Sequence, residues 1–244
     1  MKIPLALAVS FPLLGAIAVP ALGQEQPQPI VQELFLGENP YPQDRGSLQL
    51  IGDATYRRAP GEGEFALQLT AEYGITDRLQ LGARAPYRFL NPDQGPTEHG
   101  VGDVGLSALY NFQRSPDLVL SGFLEVSLPT GDEDDGLGEG EWVFRPLLLA
   151  AKRFGPAEVY LNVGAELSNG EASFLYDVAA AYPVESFAAV LELNGSAGHA
   201  DEHYLTPGVY WRESDKLQVG VGVPVGFGAD ADDYRVVLRV VYEP

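Results

Sequence analysis

From about residue 46 onward the chain alternates. In the stretch from Glu64 to Tyr73, Phe65, Leu67, Leu69, Ala71 and Tyr73 fall on one side of an extended backbone, and Glu64, Gln68, Thr70 and Glu72 on the other. The same period of two sets Leu79, Leu81, Ala83, Ala85 and Tyr87 against Gln80, Arg84 and Arg88, and Val159, Leu161, Val163, Ala165 and Leu167 against Glu158, Tyr160, Asn162 and Glu166. It recurs as Leu217, Val219, Val221, Val223, Val225 and Phe227 against Gln218 and several glycines. The last such stretch sets Tyr234, Val236, Leu238, Val240 and Tyr242 against Arg235 and Arg239. About twelve segments of this kind, beginning near Ser47, Glu64, Arg78, Gly102, Leu118, Glu141, Glu158, Ala172, Phe187, His203, Lys216 and Asp233, are separated by turn-forming residues. One face is valine- and leucine-rich with scarcely a charge, and the other carries glutamates and arginines. A barrel in water has the opposite polarity, with its apolar face inside. The pattern therefore predicts an all-β fold, a closed antiparallel transmembrane β-barrel over residues 46–244, whose strands of roughly 9 to 11 residues cross a bilayer at a tilt.

Connection lengths support this arrangement. Tight turns are expected at Thr76-Asp77, Arg114 to Asp117, Phe154 to Pro156, Pro183 to Ser186 and Glu213 to Asp215. Longer or more polar ones are expected at Ala59 to Gly63, Asn91 to Val101, Pro129 to Gly140, Ser168 to Glu171, Gly198 to Glu202 and Gly228 to Asp232. Short periplasmic turns and longer acidic extracellular loops are the two rims of an outer-membrane barrel. Aromatic residues gather at strand ends and suggest two interfacial girdles. Tyr73, Tyr110, Phe112, Phe154, Tyr160, Tyr182, Phe187, Trp211 and Tyr242 belong to the short-turn rim, and Tyr87, Phe89, Trp142, Phe174, Tyr204, Phe227 and Tyr234 to the other.

The first residues change the picture from fold to location. Lys2, the apolar run Ile3 to Val19 and the small-residue site Ala21-Leu22-Gly23 read as a signal peptide, residues 1–23, removed on export. Residues 24–45 are proline-rich without a clean strand period. They are expected to form a periplasmic extension or, alternatively, a short plug entering the barrel through Ile30, Val31, Leu34, Phe35 and Leu36. The formal net charge of −19 excludes nucleic acid as a partner, and the absence of cysteine excludes disulfides and thiolate chemistry. An exported, disulfide-free barrel points to the bacterial outer membrane.

Candidate chemistry lies on the inward face and in two loops. Arg57, Arg84, Arg88, Arg145, Arg235 and Arg239 face inward with Glu64, Glu72, Glu125, Glu166, Glu192 and Asp177. Of these, Arg84, Arg88, Glu125, Arg145, Glu166, Glu192, Arg235 and Arg239 are the candidate pore-lining set, either pairing structurally or selecting solutes by size and charge. In the acidic loop, Asp132, Asp134, Asp135 and Glu139 offer hard oxygen ligands for calcium, although the spacing is not that of an EF-hand. His199, Asp201 and His203, at alternate positions, form a second candidate metal set. No other cofactor is expected. No serine stands at an interpretable spacing from a histidine, so no catalytic residues are assigned and the chain is not expected to be an enzyme.

The motif from His99 to Phe112, with its Gly102-Asp103 strand start, is followed one hairpin later by Leu128-Pro129-Thr130-Gly131-Asp132. Together they resemble the outer-membrane proteins named after the MetA pathway of phenol degradation. The resemblance implies an outer-membrane barrel that admits small hydrophobic or aromatic compounds. The partners would be outer-membrane lipid, the barrel assembly machinery and a small-molecule solute. One departure is the tail: Tyr242 is followed by Glu243 and Pro244, where such barrels usually end on an aromatic residue. The expected function is passive passage of small solutes; the alternative is a non-conducting structural or surface-interaction barrel acting through its acidic loops.

Overall fold

A computed structural model describes residues 28–244 except Gln94, Ala200 and Asp215, so the expected signal peptide, residues 1–23, lies outside the described residues. The strands in chain order are β1 (Leu48–Ala59), β2 (Glu62–Thr76), β3 (Leu79–Pro92), β4 (Glu98–Val101), β5 (Val104–Ser115), β6 (Leu118–Leu128) and β7 (Val143–Phe154). They continue as β8 (Ala157–Ser168), β9 (Glu171–Val184), β10 (Phe187–Ala197), β11 (Glu202–Ser214), β12 (Leu217–Gly222), β13 (Val225–Gly226) and β14 (Tyr234–Tyr242). β4 and β5 are halves of one stave, both paired with β3 and broken at Gly102-Asp103. β12 and β13 are halves of another, broken at Val223-Pro224, where proline has no N–H for the ladder.

Every stave pairs antiparallel with its sequence neighbours, and β1 pairs with β14 from Leu50 opposite Tyr242 to Arg58 opposite Tyr234. The sheet thus closes as a barrel of twelve staves with no free edge. The alternation lands as the pattern requires. Leu69 and Leu148 are about 60% exposed on the outer surface (60% and 62%), while Glu64, Glu125 and Arg239 point inward. Apolar side chains this exposed are stable against lipid and unfavourable against water.

Two sequence expectations need correction. Tyr160 and Tyr204 are not girdle residues: they are 0% and 3% exposed on the inner face. Parity decides this, because Tyr160 alternates with the outward Leu161 and Tyr204 with the outward Leu205. The other girdle tyrosines, tryptophans and phenylalanines are exposed at the rims, Phe89 only partly. The connections after β1 and β8 are also tight, with only Pro60-Gly61 and Asn169-Gly170 between strands. Asn169 and Gly170 both adopt left-handed φ values (40° and 87°), the conformation an Asn-Gly hairpin turn requires.

Candidate functional site

The barrel lumen is occupied by the chain's own N-terminal segment. Residues 28–45 form no ladder, so their backbone groups must find other partners. Side chains on the inner wall supply them. Glu192 on β10 accepts the N–H of Phe35 (2.5 Å) and of Leu36 (2.9 Å). Asn162 on β8 accepts the Glu38 N–H (2.7 Å) and donates to the Glu38 carbonyl (3.1 Å). Glu158 accepts the Ile30 N–H, Gln218 that of Gln32 and Gln80 that of Gln43. Ser121 donates to the Pro40 carbonyl, Arg212 to that of Ile30 and Arg239 to that of Leu34. The path follows from these partners: it begins near Arg153 by the β7–β8 turn, rises to Glu192 and returns to the short-turn rim, where the Gly46 N–H bonds the Gly74 carbonyl.

Apolar contacts reinforce the anchoring. Ile30, Val31, Leu34, Phe35 and Tyr41 pack with Val119, Ala151, Tyr160, Ala179, Ala181, Ala188, Val190, Tyr210 and Val237 into one buried cluster. Phe35 stacks on Tyr210 with ring centroids 4.6 Å apart. Its ring lies against Gly208 and Gly222, where a Cβ would collide with it; at Gly222 the gap would be 2.7 Å. Two segment carboxyls are strained electrostatically. Burial, then the neighbouring Glu125 and Glu72, push Glu38 up to about 8 against the pull of Arg239 and Arg84. Burial and Glu72 raise Glu33 as well.

Above the segment lies a chamber of about 610 Å³, with Phe35 and Leu36 on its floor and Leu137 and Gly138 of the β6–β7 loop at its other end. It adjoins a space of about 480 Å³ that shares Phe35, Leu36, Arg84, Arg145, Arg235 and Arg239. The arginines are paired: Arg57 with Glu62, Glu64 and Asp232, Arg84 with Glu125, Arg88 with Glu64, Arg145 with Glu125 and Glu166, Arg235 with Asp232, and Arg239 with Asp53. Of the candidate pore-lining residues, Arg84, Arg88, Arg145, Arg235 and Arg239 face the chamber, and Glu125 faces the adjoining space. Glu166 joins through Arg145. Glu192 is set apart, fully buried beneath the segment it holds.

The Gly-Asp and Leu-Pro-Thr-Gly-Asp motifs form a clasp at the chamber's outer end. Asp103 accepts three backbone N–H groups, those of Thr130 (3.0 Å), Gly131 (2.8 Å) and Glu139 (2.8 Å). The Thr130 hydroxyl donates to the Gly102 carbonyl and accepts the Val104 N–H. Arg88 donates to the Gly136 and Leu137 carbonyls, and Leu137 is buried (3% exposed). Asp103→Ala is expected to free this loop, since each bond to a charged acceptor is worth about 1.5 to 3 kcal/mol and exposure favours the low end. Limited proteolysis between Asp132 and Glu139 should then accelerate at least about tenfold, on the ~1.5 kcal/mol of a single such bond. Asp103→Asn, which keeps an acceptor, should fall between. Unchanged cleavage in Asp103→Ala would refute the clasp.

The loop residues proposed as metal ligands are not brought together. Asp132 turns its carboxylate onto the Asp134 and Asp135 N–H groups, and Glu139 enters the clasp through its backbone. His199 pairs with Glu171 (2.8 Å), whereas His203 lies between Asp201 (3.0 Å) and the Tyr176 hydroxyl (2.9 Å). Among the described residues no three such side chains converge on one point. Sequence reasoning missed Asp103 as a functional residue and missed the wall residues Asn162, Gln80, Gln218 and Ser121. Their only signal was a polar side chain on the inward parity near the short-turn end.

No curated protein matches the chain. Among solved structures, an outer membrane channel from Pseudomonas putida F1 is similar with a TM-score of 0.68 at 17% identity, over 84% of this chain and 98% of that one. The NanC porin (TM-score 0.58, 8% identity, 79% and 98% covered) and the KdgM porin (0.55, 11%, 79% and 98%) are also similar. At these identities the likeness establishes the fold, that of outer-membrane barrels. Residues 87–242, which include both clasp motifs, match the family described as "Putative MetA-pathway of phenol degradation", and the chain belongs to that family.

Proposed function

We propose that the protein is a non-catalytic outer-membrane channel for small solutes, closed towards the periplasm by its residues 28–45. The observation that carries this is a division of the lumen. A vestibule of about 320 Å³ at the short-turn rim, lined by residues such as Gln32, Tyr41, Gln218 and Glu243, shares no lining residue with the two spaces above the segment. What separates them is a strand-free piece of chain, held by side-chain hydrogen bonds and apolar contacts that can be broken without unpairing any stave. The family's link to phenol degradation supports small aromatic or hydrophobic solutes. In this reading residues 1–23 direct export and the assembly machinery inserts the barrel. Conductance in planar bilayers tests it. The full mature chain should be nearly silent or flicker, and a variant lacking residues 24–43 should show steady steps. Silence in both would overturn the channel and leave a structural barrel.

A further inference from the structure

The chamber above the segment shows which solutes it suits. Resting on the channel reading, we propose that it is a binding site for small organic anions with an apolar body, an aromatic carboxylate being the simplest. Its size lies within the range of roughly 300 to 1,000 Å³ typical of small-molecule sites. Six arginines, Arg57, Arg84, Arg88, Arg145, Arg235 and Arg239, line it with four carboxylates, Asp53, Glu64, Asp103 and Glu139. Arg57, Arg84, Arg145 and Arg235 are 24–31% exposed (27%, 24%, 31% and 25%); their inner partners Glu64, Glu125 and Asp232 are 5–10% exposed (8%, 10% and 5%), while their outer partners Glu62, Glu166 and Glu202 are as open as the arginines (36%, 34% and 38%).

Two of these arginines have donors to spare. Arg145 spends Nε on Glu166 and Nη1 on Glu125, and its Nη2 bonds no described residue. Arg235 spends Nε on Asp232 and Nη2 on the Tyr204 hydroxyl, leaving Nη1 without a described partner. β7 and β14 lie six staves apart in either direction around the ring, so the two groups face the chamber from opposite walls. Leu36 below supplies most of the apolar surface, with little of the buried Phe35 (2% exposed) and Leu137 (3%) showing beside it.

The chemistry discriminates between solute classes. A neutral solute that displaced water from Nη2 of Arg145 offers the charged donor at most an uncharged acceptor, and one without an oxygen leaves it unpaired. A carboxylate or phenolate satisfies such donors by charge-assisted bonds, and its ring can lie against a guanidinium plane or against Leu36. A cation meets more guanidinium than carboxylate on the lining, six arginines against four acids. The acidic loop outside the clasp slows approach of an anion but, with a screening length of about 8 Å at physiological ionic strength, acts weakly on the chamber.

The test is calorimetric binding to the full mature protein in lipid nanodiscs, using benzoate, cyclohexanecarboxylate, benzyl alcohol and benzylammonium. Both carboxylates should bind, with benzyl alcohol at least about tenfold weaker and benzylammonium undetected. In the double variant Arg145→Gln and Arg235→Gln, benzoate affinity should fall at least about tenfold while alcohol binding stays unchanged. Equal binding of benzoate and benzyl alcohol by the unaltered protein overturns the proposal, and this arm decides even if the double variant fails to fold. Binding without current in the chain lacking residues 24–43 would sink the channel reading alone; current without anion preference would sink this one alone.

Discussion

Glu192→Leu withdraws the inserted segment. Glu192 is fully buried and accepts the Phe35 and Leu36 N–H groups at the segment's innermost point. Leucine fills similar volume but accepts nothing, so two backbone donors lose a charged acceptor. Such bonds are worth about 1.5 to 3 kcal/mol each, and relief of a buried charge returns part of that. A net shift of about 3 kcal/mol moves the ratio of inserted to withdrawn segment roughly a hundredfold. Glu192→Gln keeps one acceptor and should lie between. The chain contains no cysteine, so Val31→Cys introduces a single thiol at a position that is 0% exposed. Its labelling by an impermeant maleimide reports withdrawal directly. If Glu192→Leu leaves that labelling as slow as in the parent, the segment is held by its apolar contacts and the hydrogen bonds are incidental.

Alkaline pH should loosen the same segment. Glu38 is held at about 8 when inserted, facing Glu125 and Glu72 with Arg239 and Arg84 opposing them, against an ordinary value of 4.5. The inserted form therefore binds the proton more tightly than the withdrawn form. That contribution to insertion is whole below about pH 4.5, declines by up to about tenfold in the ratio per pH unit, and is gone once pH passes about 8. Glu33, also raised, acts in the same direction. Labelling of Val31→Cys, corrected by an exposed thiol placed at Pro60, should rise between pH 6 and pH 9. Glu38→Gln should flatten that rise. An unchanged slope in Glu38→Gln, or faster labelling at the lower pH, would contradict the assignment.

These two effects arise where sequence patterning is weakest. The strands were legible because alternation is local: each residue's face depends only on its neighbours, and Leu67 must point out if Glu64 and Gln68 point in. The inward arginines and glutamates were legible for the same reason, as was the pairing of the two clasp motifs as a family signature. Their mutual geometry was not. Asp103 reaches Glu139 across 36 positions, through a loop whose own spacing suggested calcium ligation. Tyr160 and Tyr204 carried the right parity for the lumen, but tyrosine at a strand end suggests an interface more strongly than a buried hydroxyl does.

By itself the sequence determined a closed membrane barrel of about twelve strands with an apolar exterior, a charged interior and acidic loops. The tertiary structure alone decided what fills the interior. Residues 28–45 have no period to read, and they are placed by bonds such as Ile30 to Glu158 and Phe35 to Glu192, which link positions 128 and 157 residues apart. A segment that satisfies its backbone on distant side chains leaves no local pattern, because its partners belong to strands already explained by their own alternation.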